Sequence, residues 1–270
     1  MIKAFAPLGF ALLCSTAVAH AAEVPPPASL AQDGTLTYGV AATFAPFEYK
    51  DGTKLVGLDI ELGELLAAKM GLVTEPLNME FQGLIPALQG KRIDIINSAM
   101  YMNEERAEQV DFVPYLTVGN EVVVRAGNPT GVTGREDVCG SRIAVTLGGI
   151  QESYARADAA RCAEEGRDEV TVITLPTAQD SALSVRSGRA DVFYNSTPGT
   201  AKLMAELPGV FERVGESFEA NTRVGIAVRK GETDTATAIQ AALDALVADG
   251  SYAALLDRYM LPDSAALLLK

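Results

Sequence analysis

The clearest helical periodicity in the chain lies in the segment Gly57-Leu58-Asp59-Ile60-Glu61-Leu62-Gly63-Glu64-Leu65-Leu66-Ala67-Ala68-Lys69-Met70. Its apolar residues fall on one helix face, at Leu58, Leu62, Leu65, Leu66 and Met70. Gly71 follows as a typical helix stop. Strand-like residues precede this helix at 36–40 and follow it at 73–79. The order strand, helix, strand predicts an α/β unit with parallel strands.

The same alternation continues along the chain and then starts again. The first set goes on with a helix at 83–89 and a strand at 93–96. The second set contains strands at 121–125, 142–146, 170–174 and 191–194, with helices at 150–163 and 178–186. A strand at 223–228 and helices at 234–248 and 252–260 end the chain. Two α/β sets predict two lobes with a cleft between them, although periodicity alone also allows one doubly wound sheet.

Composition narrows the class of protein. The chain has 270 residues, of which 48% are hydrophobic, and this is enough to build one large core or two medium ones. The formal net charge is −13, and such a surface repels the phosphates of nucleic acid. We therefore expect a folded protein that does not bind nucleic acid.

The N-terminus indicates export. Lys3 precedes the apolar residues 4–13, and Ala19-His20-Ala21 is a small-x-small cleavage signal. We expect residues 1–21 to be a signal peptide, residues 22–32 to be an extended, proline-rich leader, and the mature protein to be exported. A retained anchor helix is the alternative. Lipoprotein processing at Cys14 is disfavoured, because Leu13 stands where a small residue is required.

Cleavage would remove chemistry as well as charge. It takes away Lys3 and no acid, so the net charge changes from −13 to −14, and it takes away His20, the one histidine of the chain. Histidine-dependent triads and His-ligated zinc are then excluded. We expect neither a metal nor a cofactor.

Two cysteines, Cys139 and Cys162, remain after cleavage. An even pair in an exported protein favours a disulfide. Cys139 precedes the predicted strand at 142–146 and Cys162 lies at the end of the helix after it. A strand and its following helix run antiparallel, so these ends should meet. Two buried free thiols are the alternative.

Several short segments together resemble a known family, the family 3 extracellular solute-binding proteins of polar amino-acid ABC transporters. They are, in order, residues 43–48, 57–62, 81–88, 103–106 and 250–252, and the resemblance covers about 33–262. It implies the type II periplasmic-binding-protein fold, with two α/β lobes joined by two short hinge strands. Lobe 1 would be 33–117 plus 219–270, and lobe 2 would be 118–218.

Arg106 is the first candidate ligand-binding residue. A guanidinium can hold a carboxylate with two parallel hydrogen bonds, which a lysine cannot do. The resemblance implies that this arginine grips the carboxylate of the ligand. The alternative is a surface arginine paired with Glu104 or Glu105 on a short helix.

The resemblance implies further ligand contacts in both lobes. Polar groups at the end of the strand at 93–96 are Asn97 and Ser98, although ordinary turn chemistry is the alternative there. Apolar walls would come from Phe44 and Phe81, which core packing would also explain. Tyr101 has a polar tip and is unusual for the family at this position, and we expect it to line the pocket. In lobe 2, the turn at Gly149 and Ile150 begins a helix, whose free N–H groups and positive dipole end suit an anion.

The chain departs from the family at the groups that hold a ligand's amine. Many members place an acid in the loop after the lobe 2 strand, where this chain has Asn195 and, at the matching place, Ser196, and we expect these two residues to contact the ligand instead. A second acid that is frequent in the family is replaced by Ala41 in this chain. A side chain with a hydroxyl, also common in the family, is replaced by Ala99. The carboxylate grip is kept and the ammonium grip is weakened. The sequence is therefore compatible with three kinds of ligand: an unusual amino acid, an N-substituted amino acid, or a carboxylate without an amine.

We expect the periplasmic ligand-binding component of an ABC importer, a monomer that captures a small carboxylated solute and docks on an inner-membrane permease. The second hypothesis is an enzyme that resembles periplasmic cyclohexadienyl dehydratase and uses Glu152 as a buried acid. A third is a sensor domain, which is disfavoured because no membrane or signalling segment follows Lys270.

Overall fold

The structure, a computed structural model, describes residues 23–269, so the predicted signal peptide and its cleavage site lie outside the described residues. The strands are β1 (Thr35–Val40), β2 (Thr43–Phe44), β3 (Glu48–Asp51), β4 (Lys54–Val56), β5 (Val73–Asn78), β6 (Ile95–Ile96), β7 (Val110–Arg125), β8 (Arg142–Thr146), β9 (Thr171–Leu175), β10 (Val192–Ser196) and β11 (Phe211–Arg229). The α-helices are α1 (Leu58–Lys69), α2 (Leu84–Gln89), α3 (Glu104–Gln109), α4 (Ile150–Glu164), α5 (Ala178–Arg186), α6 (Thr197–Glu206), α7 (Thr233–Ala248) and α8 (Ser251–Arg258).

Hydrogen bonding joins eight strands in the order β5-β1-β6-β11-β7-β10-β8-β9. β1 is parallel to β5 and β6, and β8 is parallel to β9 and β10. β7 and β11 are antiparallel to each other and to their neighbours β10 and β6. The expectation of parallel strands is therefore confirmed within each set, and the two strands that connect the sets run against them.

Two lobes lie on either side of the middle of β7 and β11. Lobe 1 contains β1–β6 with α1–α3, α7 and α8, and its core includes the fully buried Leu36, Leu62 and Leu243. Lobe 2 contains β8–β10 with α4–α6, and a separate core surrounds Ile143 and Val192. The predicted two-lobed α/β fold is confirmed.

Gly57 explains why α1 begins where it does. Its φ of 130° is one that other residues rarely adopt. A Cβ at this position would lie 2.2 Å from the carbonyl oxygen of Phe47. The close approach lets the N–H groups of Leu58 and Asp59 donate to the carbonyls of Pro46 and Phe47, at 3.0 and 2.8 Å. Glycine therefore fixes the start of α1 against residues 46–47.

The connecting strands are longer than expected. The family resemblance implied short hinge strands, but β7 has 16 residues and β11 has 19, because each strand continues from one lobe into the other. Their pairing is irregular where they cross, with register shifts between Val214 and Phe218 and between Phe218 and Thr222. The expected lobe boundaries at 117/118 and 218/219 fall in this stretch and stay a prediction.

The leader packs along lobe 1. Residues 23–31 lie outside helices and strands, as expected of an extended segment. Val24 is buried in the lobe 1 core, and its N–H donates to the carbonyl of Lys69. The N–H of Ala31 donates to Asp94 at 2.6 Å. The leader thus contributes to the lobe rather than preceding it.

Cys139 and Cys162 form a disulfide, with their Cα atoms 5.6 Å apart. The bond ties the segment before β8 to the last turn of α4, as the antiparallel packing of strand and helix predicted. The prediction is confirmed and the alternative of two free thiols is wrong.

Within residues 23–269, no single helix has the length and apolar character needed to cross a membrane, and α7 and α8 meet that test only as a pair bent by 81°.

Candidate functional site

A cavity lies between the lobes. From lobe 1 it is lined by Ala41, Thr43, Phe44, Phe81, Ala99, Tyr101 and Arg106. From lobe 2 it is lined by Thr146, Gly149, Ile150, Gln151 and Ala178. The site lies at the end of β8 and at the N-terminal ends of α4 and α5, where α/β folds bind ligands.

Arg106 lies in this cavity and not on the surface. Asn103 caps α3 by accepting from the Arg106 N–H at 2.9 Å, and the side chain is 8% exposed. Its guanidinium donates to the carbonyl of Tyr101 at 2.6 Å and, across the cleft, to that of Gly148 at 2.8 Å. Burial lowers the pKa of Arg106 to about 10, so the group stays protonated at neutral pH.

The start of α4 faces Arg106 from lobe 2. Gly148 has a φ of 75°, a left-handed conformation that suits glycine, and Gly149 is the N-cap residue. The first N–H groups of a helix lack intrahelical acceptors, and the helix dipole makes this end positive. Ile150 and Gln151 carry such groups and line the cavity. The two grips predicted from separate lobes are therefore brought together.

Aromatic side chains form the wall on the lobe 1 side. Phe44 packs on Phe47 with ring centroids 5.3 Å apart, and Phe81 lies 5.2 Å from the guanidinium carbon of Arg106. Both are partly buried against the hydrophobic clusters of lobe 1 and also line the cavity, so their ligand contact stays a prediction. Tyr101 is 3% exposed, and burial raises the pKa of its hydroxyl, so this group is a neutral phenol.

Asn97 and Ser98 lie behind the cavity floor, which is formed by Ala41 and Ala99, and they do not line the cavity. The Asn97 amide donates to the carbonyl of Asp59 at 2.6 Å. The Ser98 hydroxyl donates to Glu48 at 2.8 Å and accepts from the N–H of Ala41 at 2.9 Å. Both side chains are fully buried. Direct ligand contact by these two residues stays a prediction.

A buried pair of acids, Glu48 and Asp59, stands behind the floor and was not predicted. Burial and the neighbouring Asp59 charge raise the pKa of Glu48 well above its usual range, and burial raises the pKa of Asp59 to about 6. Asp59 accepts from the Tyr115 hydroxyl and from the Ala99 N–H, both at 2.6 Å. Ala99 has a φ of 39°, so Asp59 holds the floor in a conformation that alanine rarely adopts.

Asn195 and Ser196 are also buried outside the cavity wall. Ser196 caps α6 by accepting from the Gly199 N–H at 3.0 Å. The Tyr101 hydroxyl lies near Ser196, but outside hydrogen-bonding geometry. The ligand-binding role of Asn195 and Ser196 stays a prediction.

Glu152, the acid of the enzyme hypothesis, is held on the side of α4. It accepts from the Gly148 N–H at 2.8 Å and pairs with Arg156 at 2.6 Å. It does not line the cavity. This placement is typical of an acid that stabilises a helix N-terminus.

Over the described range 23–269, no cluster of three or more His, Cys, Asp or Glu side chains could hold a metal ion.

Known proteins share both sequence and fold with this chain. Residues 36–262 match the bacterial extracellular solute-binding proteins, family 3. The arginine-binding protein ArgT of Corynebacterium glutamicum is 32% identical over 84% of this chain and 74% of its own. The solved structure of an ancestral arginine-binding protein bound to arginine is 34% identical with a TM-score of 0.78, covering 84% of this chain and 98% of that one.

A third similar protein bears on the enzyme hypothesis. It is the ancestral amino acid-binding protein AncCDT-1, described as a precursor of cyclohexadienyl dehydratase, and its structure is 30% identical with a TM-score of 0.75. The overlap covers 84% of this chain and 95% of that one.

The match to the family model spans nearly all described residues, and the two-lobed fold agrees with it. This chain belongs to the bacterial extracellular solute-binding proteins of family 3.

Proposed function

We propose that this protein is the periplasmic ligand-binding component of a bacterial ABC importer and captures a small carboxylated solute, an amino acid or an amino-acid derivative. The observation that carries the proposal is Arg106, a buried cation in a cavity between two lobes, opposite the start of α4. The names of the similar proteins, which refer to arginine or to amino acids, support the same class of ligand.

Arg106 would bind the ligand's carboxylate through N–H donors that the two carbonyl groups leave available. A guanidinium has five N–H donors, and Arg106 directs one each to the carbonyls of Tyr101 and Gly148. A carboxylate beside it would accept two parallel, charge-assisted bonds. Its other lone pairs would face the N–H groups of Ile150 and Gln151. Because these groups lie on different lobes, ligand binding would stabilise the closed arrangement.

Export and partners follow from the same proposal. A signal peptide cleaved before Ala22 would deliver the protein to the periplasm, where the disulfide forms. The protein would act as a monomer and dock on an inner-membrane permease. No cofactor is needed, because capture and release involve no bond chemistry.

Thermal unfolding with a set of carboxylates should identify ligands of this protein. The set contains L-arginine, L-glutamine, L-leucine and L-phenylalanine, each with its N-acetyl and 2-oxo counterparts. A bound compound at a hundredfold excess over its Kd stabilises the fold by about 2.7 kcal/mol. The matched control is the same compound with its carboxylate converted to an amide, which should not stabilise. Equal stabilisation by acid and amide would contradict the proposal.

The receptor should not convert prephenate. We expect no phenylpyruvate above the uncatalysed rate, because Glu152 is paired with Arg156 outside the cavity. Ultraviolet detection of phenylpyruvate measures this, with Glu152→Gln as the control. Release that Glu152→Gln abolishes would establish the enzyme instead.

A further inference from the structure

The cavity wall carries very little charge. Among the described lining residues, Arg106 alone has a formal charge at neutral pH. The remaining polar side chains on the wall are Thr43, Tyr101, Thr146 and Gln151, all of which are neutral. A bound monoanion would make the occupied site electrically neutral, whereas a zwitterion would bring a second cation next to Arg106.

Three buried or partly buried acids near the wall have hydrogen-bond partners outside the cavity. Glu48 accepts from Ser98, and Asp59 accepts from Tyr115 and the Ala99 N–H. Glu152 follows the lining residue Gln151 but is bound by Arg156. None of the three lines the cavity. A ligand ammonium inside this cavity would therefore meet no carboxylate among the residues that line it, which is unfavourable.

Neutral hydrogen-bonding groups are available instead. The Tyr101 hydroxyl is buried at the cavity and makes no hydrogen bond to a described residue. The side-chain amide of Gln151 donates to the side-chain oxygen of Asn120 at 2.8 Å, and this bond fixes the orientation of the Gln151 side chain. A neutral phenol and an amide suit an uncharged oxygen or N–H group on the ligand.

We propose that the cavity selects a small monoanionic carboxylate whose α-substituent is uncharged, a 2-oxo, 2-hydroxy or N-acylated acid, and that it excludes amino acids with a free ammonium group. This inference rests on the proposed function, because it assumes that Arg106 holds the carboxylate. It departs from what the names of the arginine-binding relatives suggest.

Calorimetry on the wild-type protein tests the inference with matched compounds. For each of leucine, phenylalanine and glutamine, the free amino acid is compared with its N-acetyl and 2-oxo forms, which keep the side chain and the carboxylate. For the skeleton that binds best, we expect the amine-free form to bind about 100-fold more tightly than the zwitterion. A zwitterion that binds as tightly overturns this inference alone. Absence of binding by every compound overturns the proposed function as well.

A pair of variants at Ala41 provides the second test. Ala41 lines the cavity, so Ala41→Asp would place a carboxylate on the wall, and Ala41→Asn has the same shape without the charge. Relative to Ala41→Asn, Ala41→Asp should shift the preference toward the zwitterion by at least about tenfold. An unchanged ratio between two folded variants would overturn the inference. The wild-type series keeps the proposal testable if a variant does not fold.

Discussion

Replacing Arg106 with alanine is expected to weaken carboxylate binding by about 3 kcal/mol, which is more than a hundredfold in Kd. The variant removes a charge-assisted pair of hydrogen bonds from a site where water is largely excluded. The fold should remain, because alanine has a high helix propensity and suits α3. Calorimetry with the tightest-binding compound of the set measures the loss.

Two further variants separate geometry from charge. Arg106→Lys keeps the charge but loses the planar fork, so it should recover only part of the affinity. Arg186→Ala removes an exposed arginine from the end of α5 and should bind like the wild type. Affinity that Arg106→Ala leaves unchanged would contradict the assignment of this residue.

Removing the disulfide is expected to lower the free energy of unfolding by about 3 kcal/mol, because Cys139 and Cys162 close a loop with a sequence separation of 23. The double variant Cys139→Ala with Cys162→Ala avoids burying a new polar group at Cys162, which is fully buried. Urea unfolding of the variant and of the wild type with and without reductant measures the effect. Reduction should have no effect on the variant.

The bond joins lobe 2 elements at a distance from the cavity lining. The folded variant should therefore keep its ligand affinity. Equal unfolding midpoints for the oxidised wild type and the variant would show that the cross-link contributes no stability.

Much of the fold could be predicted from periodicity. The apolar face of α1 and the limits of β8 and α5 agree with the structure to within about a residue. The helix α6 was missed, because Thr197-Pro198-Gly199 has the composition of a loop. In the structure, proline occupies the first turn, where its missing N–H is harmless, and Ser196 supplies the cap.

The candidate site was only partly accessible from the sequence. Arg106, Phe44, Phe81 and Tyr101 line the cavity, as do Gly149 and Ile150. The side chains of Asn97 and Ser98 point away, which depends on the buried Asp59 and Glu48 behind them. Both acids lie in segments that carry the family resemblance. Their role depends on burial and on partners distant in sequence, and neither is visible in a local pattern.

We expect the ligand preference of this chain to depend on small, uncharged residues in the cavity wall. Ala41 and Ala99 contribute no charge to the wall, and Tyr101 presents a neutral hydroxyl. The carboxylate grip and the uncharged wall can therefore be varied separately, through Arg106 and Ala41. Changing Arg106 should weaken the binding of every carboxylate, whereas changing Ala41 should alter which carboxylate is preferred.

A crystal structure of the protein with the tightest-binding carboxylate of the set would show directly whether Arg106 and the start of α4 hold the ligand. We expect the carboxylate to lie between the lobes, accepting two hydrogen bonds from the Arg106 guanidinium and facing the N–H groups of Ile150 and Gln151. A compound bound elsewhere, or one whose carboxylate points away from Arg106, would contradict it.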